Sequence, residues 1–478
     1  MLSSDNEIKS FVKTYAEAIK NGNAALFVGA GLSQAAGYKS WRELLCEFAK
    51  ELGLDADEEH DLVSLAQFYY NENCNRSNIN DTITKEFSVD KGLTENHKII
   101  ARMPIKVIWT TNYDKLLERA LQEQCRVVDV KKCNNHLFRP PFGCDCVLYK
   151  MHGDVENPEG AIIIKDDYER YHKTHTPFID RLKVDLTSRR FLFLGFSFTD
   201  PNIDYILSRI KTENDKNVKQ HYVLMRELKR KDYKADADYE YAKRKFSFFL
   251  RDLTAHGVKP LVIKEYKDIT DILLKVEKNV CRRNIFISGS AAEYGDFTAA
   301  QAMRFIHKLS GRLIREEYNI ISGFGLGVGS HVIAGALKAL YQMGQNGNSN
   351  RLILRPFPLG KENEILKEQY RRDIIMHAGI TIFLFGNNLK TGKVDNAQGV
   401  RKEFEIAKEK GCILIPVGCT GYESAELWKE VMADFSTYYP QARDEIREIL
   451  KRIGSRSDIE NIDSLVNDVV KVIQLLSD

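Results

Sequence analysis

Four short stretches in the first 202 residues set chemically able side chains directly after apolar runs. "VGAGLS" (28–33) is a glycine turn closed by Ser33, and "TTNYD" (110–114) carries Asn112 and Asp114. "KMHGD" (150–154) carries His152, and "LGFSFTDPN" (194–202) carries Gly195, Ser197 and Asp200. Glycine lets a backbone approach a diphosphate closely, and a following helix offers unpaired N–H groups to the anion. A carboxylate, a carboxamide and an imidazole together can stabilise developing positive charge and move a proton at neutral pH. Singly, each has a plain structural use: a tight turn, helix caps, a core histidine, a proline-started helix. Together, beyond the carboxyl ends of strands in one open sheet, they mark a nucleotide site.

The elements that would position them are legible as short β-branched and aromatic runs alternating with helical patterns. Strands are expected at 24–29, 107–112, 146–153, 191–197, 221–225 and 258–263. Their near-continuous apolarity predicts burial on both faces, as in a parallel sheet. A helix over 268–280 runs into "CRRN", and a new strand begins at 285–290. A second series follows in "YNIISGFG", "RLILRPFP", "ITIFLFGN" and "CILIPVG". The class is therefore α/β: two Rossmann-like domains, 1–283 and 284–478, each a mostly parallel sheet with helices on both faces.

In the second half, Gly289 and Ser290 close one glycine loop, and Gly323, Phe324, Gly325 and Leu326 lie in another. Alternating glycines allow several N–H groups to face an anion, while the missing G-K-[ST] excludes a Walker loop and its magnesium. Arg371, Asn387 and Glu403 complete the set: arginine for phosphate, a carboxylate for ribose hydroxyls.

Bulk properties narrow the classes. With 478 residues, 43% hydrophobic and 29% charged, at net charge +3, the chain reads as a multidomain globular protein. That balance argues against a nucleic-acid partner held by phosphate neutralisation. No apolar run reaches the ~20 residues of a membrane span, and the first residues show no signal core. Nine cysteines without framework spacing suit a reducing cytoplasm, and Cys133, Cys144 and Cys146 read as free thiols. No metal site is expected.

The glycine turn has Gln34 where the dehydrogenase fingerprint wants its third glycine, and no acidic residue follows at a second strand end. Instead "GAGLS", "TNYD", "MHGD" and "GFS" resemble, in order, the sirtuin set GAG-x-S, T-Q-N-x-D, H-G and G-[TS]-S. That resemblance implies a fold that breaks the nicotinamide–ribose bond of NAD+. It further implies that Ala30, Gly31, Ser33, Asp114, Gly195 and Ser197 bind NAD+, Asn112 orients ribose or attacking water, and His152 is the base. Deacetylating sirtuins insert a zinc module with two CxxC pairs, whereas no cysteine lies between His152 and Gly195. Water thus becomes the acceptor.

The second half resembles the SLOG group of ligand sensors. "GVRKE" retains only a glycine and a glutamate of the catalytic motif found in the related LOG enzymes, which implies sensing. Over nearly the whole chain, the pairing resembles the NAD-consuming effector family of bacterial Thoeris antiphage systems. It implies that a TIR-domain partner, ThsB, makes a cyclic ADP-ribose isomer that binds the SLOG half and releases NAD+ hydrolysis. It also implies a homotetramer, with filaments on activation. An NAD-dependent acyl or ADP-ribosyl transferase and a non-catalytic nucleotide-sensing scaffold are the alternatives.

Overall fold

A computed structural model of the chain describes residues 2–59, 61–139, 142–196, 198, 219–345, 351–357, 364–390, 392–440, 443–459 and 461–477. The chain divides into two compact units, Met1–Val280 and Cys281–Asp478.

The first unit is built on seven strands: β1 (Ala24–Val28), β2 (Val107–Thr110), β3 (Val128–Lys131), β4 (Cys146–Lys150), β5 (Arg190–Leu194), β6 (His221–Arg226) and β7 (Val258–Ile263). They lie in the order β3-β4-β2-β1-β5-β6-β7, and every pair is parallel. Successive side chains of a strand face opposite ways, so a strand covered on both sides must be apolar throughout. On one face Leu26, Val28, Ile108, Leu148, Leu192 and Leu194 join one core cluster. On the other, Phe27, Trp109, Tyr149, Phe191 and Phe193 join a second. The buried Trp109 indole donates to Asp185 across 3.1 Å, which satisfies a polar atom deep in that layer.

The second unit carries β8 (Asn284–Ser290), β9 (Asn319–Ser322), β10 (Leu352–Leu354), β11 (Ile380–Phe385), β12 (Asn387–Lys390), β13 (Lys393–Asn396) and β14 (Ile413–Pro416). Five of these form a parallel sheet in the order β10-β9-β8-β11-β14, and β12 and β13 pair as a separate antiparallel ribbon. The α/β class with two parallel sheets is thus the observed architecture.

Three elements differ from the sequence reading. β3 (VDVK) is a short edge strand, half-buried up to the buried Lys131, whose alternating charges give no apolar run. The β12–β13 ribbon is similarly polar, "NNLK" against "KVDN". The helix expected after the first glycine turn is a single turn, Ala30–Gln34, and the next helix starts only at Trp41. Among the described residues no helix is long and apolar enough to cross a membrane.

Candidate functional site

In both sheets the chain first grows to one side of a central strand and then crosses to the other. The change of direction lies between β1 and β5 in the first unit and between β8 and β11 in the second. At such a switch point the connecting loops part, leaving a crevice beyond the strand ends.

In the first unit, four neighbouring strands deliver the expected residues to that edge. Thr110 pairs with Lys150, and the Met151 amide donates to the Thr110 carbonyl over 3.1 Å. Asn112 and His152 therefore leave adjacent parallel strands at the same register, each two residues past a paired position. Val28 pairs with both Thr110 and Leu194, which brings Gly29 and Gly195 to the same level.

Side chains then knit these loops together. The Asn112 carboxamide donates to the Gly29 carbonyl (3.1 Å) and to Ser33 Oγ (2.8 Å). Ser33 in turn donates to Asp114 Oδ2 at 2.5 Å, and Asp114 Oδ1 accepts the Leu116 amide at 2.9 Å. Asp114 thus holds the first amide of the helix Leu116–Glu123 and belongs to a chain of polar groups reaching Asn112. His152 is 2% exposed, with its ring edge-on to Tyr168 and Tyr171 and its carbonyl accepting the Ile162 amide at 3.0 Å. Nearby His97 accepts or donates through Nδ1 to Thr94 Oγ1 at 2.7 Å, and burial pushes its imidazole down to about 4.

The glycines serve close backbone packing. A Cβ on Gly29 would stand 2.5 Å from the Gly195 carbonyl oxygen, and one on Gly195 would stand 2.5 Å from the Leu32 nitrogen. Gly195 also has φ +61°, a left-handed value that favours glycine. Gly31 donates its amide to the Gly195 carbonyl at 2.9 Å, so this N–H is engaged by β5's loop. Ala30 is exposed beside it. Ser197 and Asp200 lie outside the described residues.

Sequence reasoning missed Lys150 and Asp154, both buried within two residues of His152. Lys150 Nζ lies 2.5 Å from Asp154 Oδ2 and 2.9 Å from Glu118 Oε1. Burial by itself would raise the Asp154 carboxyl, but Lys150, with Lys132 beyond it, holds it below its ordinary value. The available signal was a lysine inside the apolar run "CVLYKM", a position where a cation must find partners.

In the second unit, Gly289 and Ser290 end β8 opposite Leu384 and Phe385 of β11. Gly325 comes so close to Gly289 that a Cβ there would overlap the Gly289 carbonyl oxygen. Phe324 is held at φ +60° with half its surface exposed, and Leu326 is exposed beside it. Gly323 sits against the Phe357 ring, over which the Arg371 guanidinium lies at 5.4 Å. Glu403 is buried, accepts from Ser288 Oγ at 2.6 Å and stands 3.7 Å from Arg371 Nε. Burial pushes its carboxyl up to about 7, against the opposing pull of Ser288 and Arg371. Among the described residues, neither Nε nor Nη1 of Arg371 has a hydrogen-bond partner, although both are buried. Asn387 is engaged locally: its carboxamide accepts the Ala292 and Glu293 amides and donates to the Glu293 carbonyl, pinning the loop after β8. Among the described residues no three His, Cys, Asp or Glu side chains are grouped to hold a metal ion.

Residues 106–248 match the SIR2-like domain, and residues 268–476 match the Sir2- and TIR-associating SLOG family. The chain is 46% identical over 471 residues to the NAD(+) hydrolase ThsA of Bacillus cereus (strain MSX-D12), spanning 98% of both chains. It is 40% identical over 480 residues to the protein of the same name from Acinetobacter baumannii (strain 532279), spanning 98% of this chain and 100% of that one. Defense-associated sirtuin 2 of Bacillus subtilis is 28% identical over 218 residues, which is 43% of this chain and 21% of that protein.

Proposed function

Because the chain belongs to the ThsA family of NAD(+) hydrolases, we propose that its first unit cleaves NAD+ to nicotinamide and ADP-ribose. The observation that carries this reading is the common register of Asn112 and His152 on adjacent strands, beside the Ser33–Asp114 hydrogen bond. In this reading Ala30, Gly31, Gly195 and Ser197 line the pyrophosphate and Asp114 the nicotinamide riboside. Asn112 orients ribose or water, and His152 accepts the proton. The bond from C1′ to the pyridinium nitrogen breaks with its electron pair passing to that nitrogen, so nicotinamide leaves neutral. Water oxygen then bonds to C1′ and its proton passes through His152 to solvent. Asn112 and Asp114 offer fixed dipole and charge to the oxocarbenium-like sugar.

The second unit, in the same proposal, senses a cyclic ADP-ribose isomer made by a TIR-domain protein of the ThsB type. The buried, unsatisfied Arg371 nitrogens support this, because phosphate oxygens would complete them. Glu403 and Ser290 would face ribose hydroxyls, and Phe324 and Leu326 an adenine face. The remaining parts of the reading rest on family membership: a cytoplasmic homotetramer, filaments on activation, and NAD+ depletion that stops phage. The reaction as proposed requires no metal and no nucleic acid.

The test follows nicotinamide release from NAD+ by the full chain, with and without cyclic ADP-ribose isomers. Asn112→Ala and His152→Ala each abolish release if the site is assigned correctly. Release that persists in both variants would move the chemistry elsewhere.

A further inference from the structure

Among the described residues Lys150 is one of the largest fully buried side chains, and the proposed reaction gives it no task. It is the last residue of β4, and its ammonium meets four oxygens. It donates to the main-chain carbonyls of Asp114 (2.6 Å) and Tyr113 (3.2 Å) and to Glu118 Oε1 (2.9 Å). The fourth is Asp154 Oδ2 at 2.5 Å. An ammonium has three protons, so this shell saturates it. Tyr113 and Asp114 belong to the turn that carries Asn112, Glu118 lies on the helix Leu116–Glu123 after that turn, and Asp154 belongs to the turn that carries His152. The shell is itself anchored. Asp154 Oδ1 accepts the Glu156 amide (2.9 Å) and Lys132 Nζ (3.2 Å).

Taken as a core device, this arrangement is costly. A buried lysine with two carboxylates gives up hydration that apolar residues of the same volume never need. A methionine at position 150 would continue the apolar run of β4 (CVLYK) at no such cost. What an apolar residue cannot do is hold two main-chain carbonyls of a neighbouring loop in fixed directions. Resting on the NAD+ hydrolysis reading, we infer that Lys150 is a positioning residue. Its ammonium fastens the turn bearing Asn112 to the turn bearing His152, and so sets the separation of the two groups across the ribose.

The clamp acts through other residues and does not touch the substrate, so its loss is read in turnover and in loop protection. A shift on the order of 1 Å in such groups costs about 100-fold in rate. Lys150→Met takes this cation from Glu118 and leaves Asp154 to Lys132 alone, so it is accompanied by Lys150→Met/Asp154→Asn/Glu118→Gln, which removes every charge of the shell together. Both variants of the full chain are assayed for nicotinamide release from NAD+ and for deuterium uptake in peptides covering 110–118 and 150–157. In the charge-free variant kcat falls about 100-fold while KM stays near the parent's. Both peptides exchange faster together by about tenfold, while peptides from β7 keep their protection. Unchanged uptake in both peptides, acceleration across the whole sheet, or a parental kcat in the charge-free variant overturns the assignment. If the parent itself releases no nicotinamide with or without a cyclic ADP-ribose isomer, the hydrolase reading fails, and the paired change in uptake alone decides the clamp.

Discussion

Ser33 donates its hydroxyl to Asp114 across 2.5 Å, joining residues 81 positions apart at the switch point of the first sheet. The same hydroxyl oxygen accepts the Asn112 carboxamide, so one serine fixes both polar residues of the second strand end. Ser33→Ala leaves a buried carboxylate oxygen and an amide proton short of a partner. That costs about 1–3 kcal/mol of stability and lowers kcat/KM for NAD+ by at least about tenfold. Denaturant titration and nicotinamide release check both, and a variant indistinguishable from the parent in both would remove Ser33 from the site.

Gly29 has no room for a methyl group. The added carbon would press on the Gly195 carbonyl oxygen and on the Phe196 backbone, neither of which is a flexible side-chain end. Gly29→Ala is expected to destabilise the first unit by more than about 2 kcal/mol, as overpacking against backbone does. Thermal unfolding reads this directly.

For the second unit, Arg371→Ala is expected to abolish activation by a cyclic ADP-ribose isomer and to leave the first unit's melting unchanged. Arg371→Lys restores charge without the fork of donors and recovers only part of the affinity. Calorimetric titration of the isomer separates the three proteins, and equal affinities would sink the assignment.

Glu403 makes the second unit sensitive to pH in a stated direction. Its folded value is raised to about 7 by burial, from an ordinary value near 4.5. A raised carboxyl binds its proton more tightly in the fold than in the unfolded chain, so its contribution is present below about pH 4.5 and is lost as pH climbs through about 7. At 1.36 kcal/mol per unit the loss is on the order of 3 kcal/mol. Amide protection of the helix Gln398–Lys410 in mild denaturant should fall between pH 5 and pH 8. Glu403→Gln should flatten that dependence.

How far the sequence spoke for the fold depends on what each element buries. β1, β2, β4 and β5 are covered on both faces, so their residues are nearly all apolar and mark themselves. β3 (VDVK) and the β12–β13 ribbon (NNLK, KVDN) are broken up by polar residues and leave no such mark. The site residues stood at strand ends because parallel order brings every carboxyl end to one edge. Their mutual bonds were hidden. Nothing local to Ser33 names Asp114, and a lysine in an apolar run does not say which loops it will hold. Asn387 shows the reverse: a residue expected from the sequence to meet a ligand, whose carboxamide is consumed by three bonds to its neighbouring loop.

The contact between β1 and β5 also times the birth of the pocket on the ribosome. Gly29 and Gly31 give their amides to Leu194 and Gly195, which are made more than 160 residues later. A nascent chain that stops short of them lacks one wall of the crevice, however well its earlier strands have assembled. A chain ending before Leu194 therefore leaves both glycine amides without these partners.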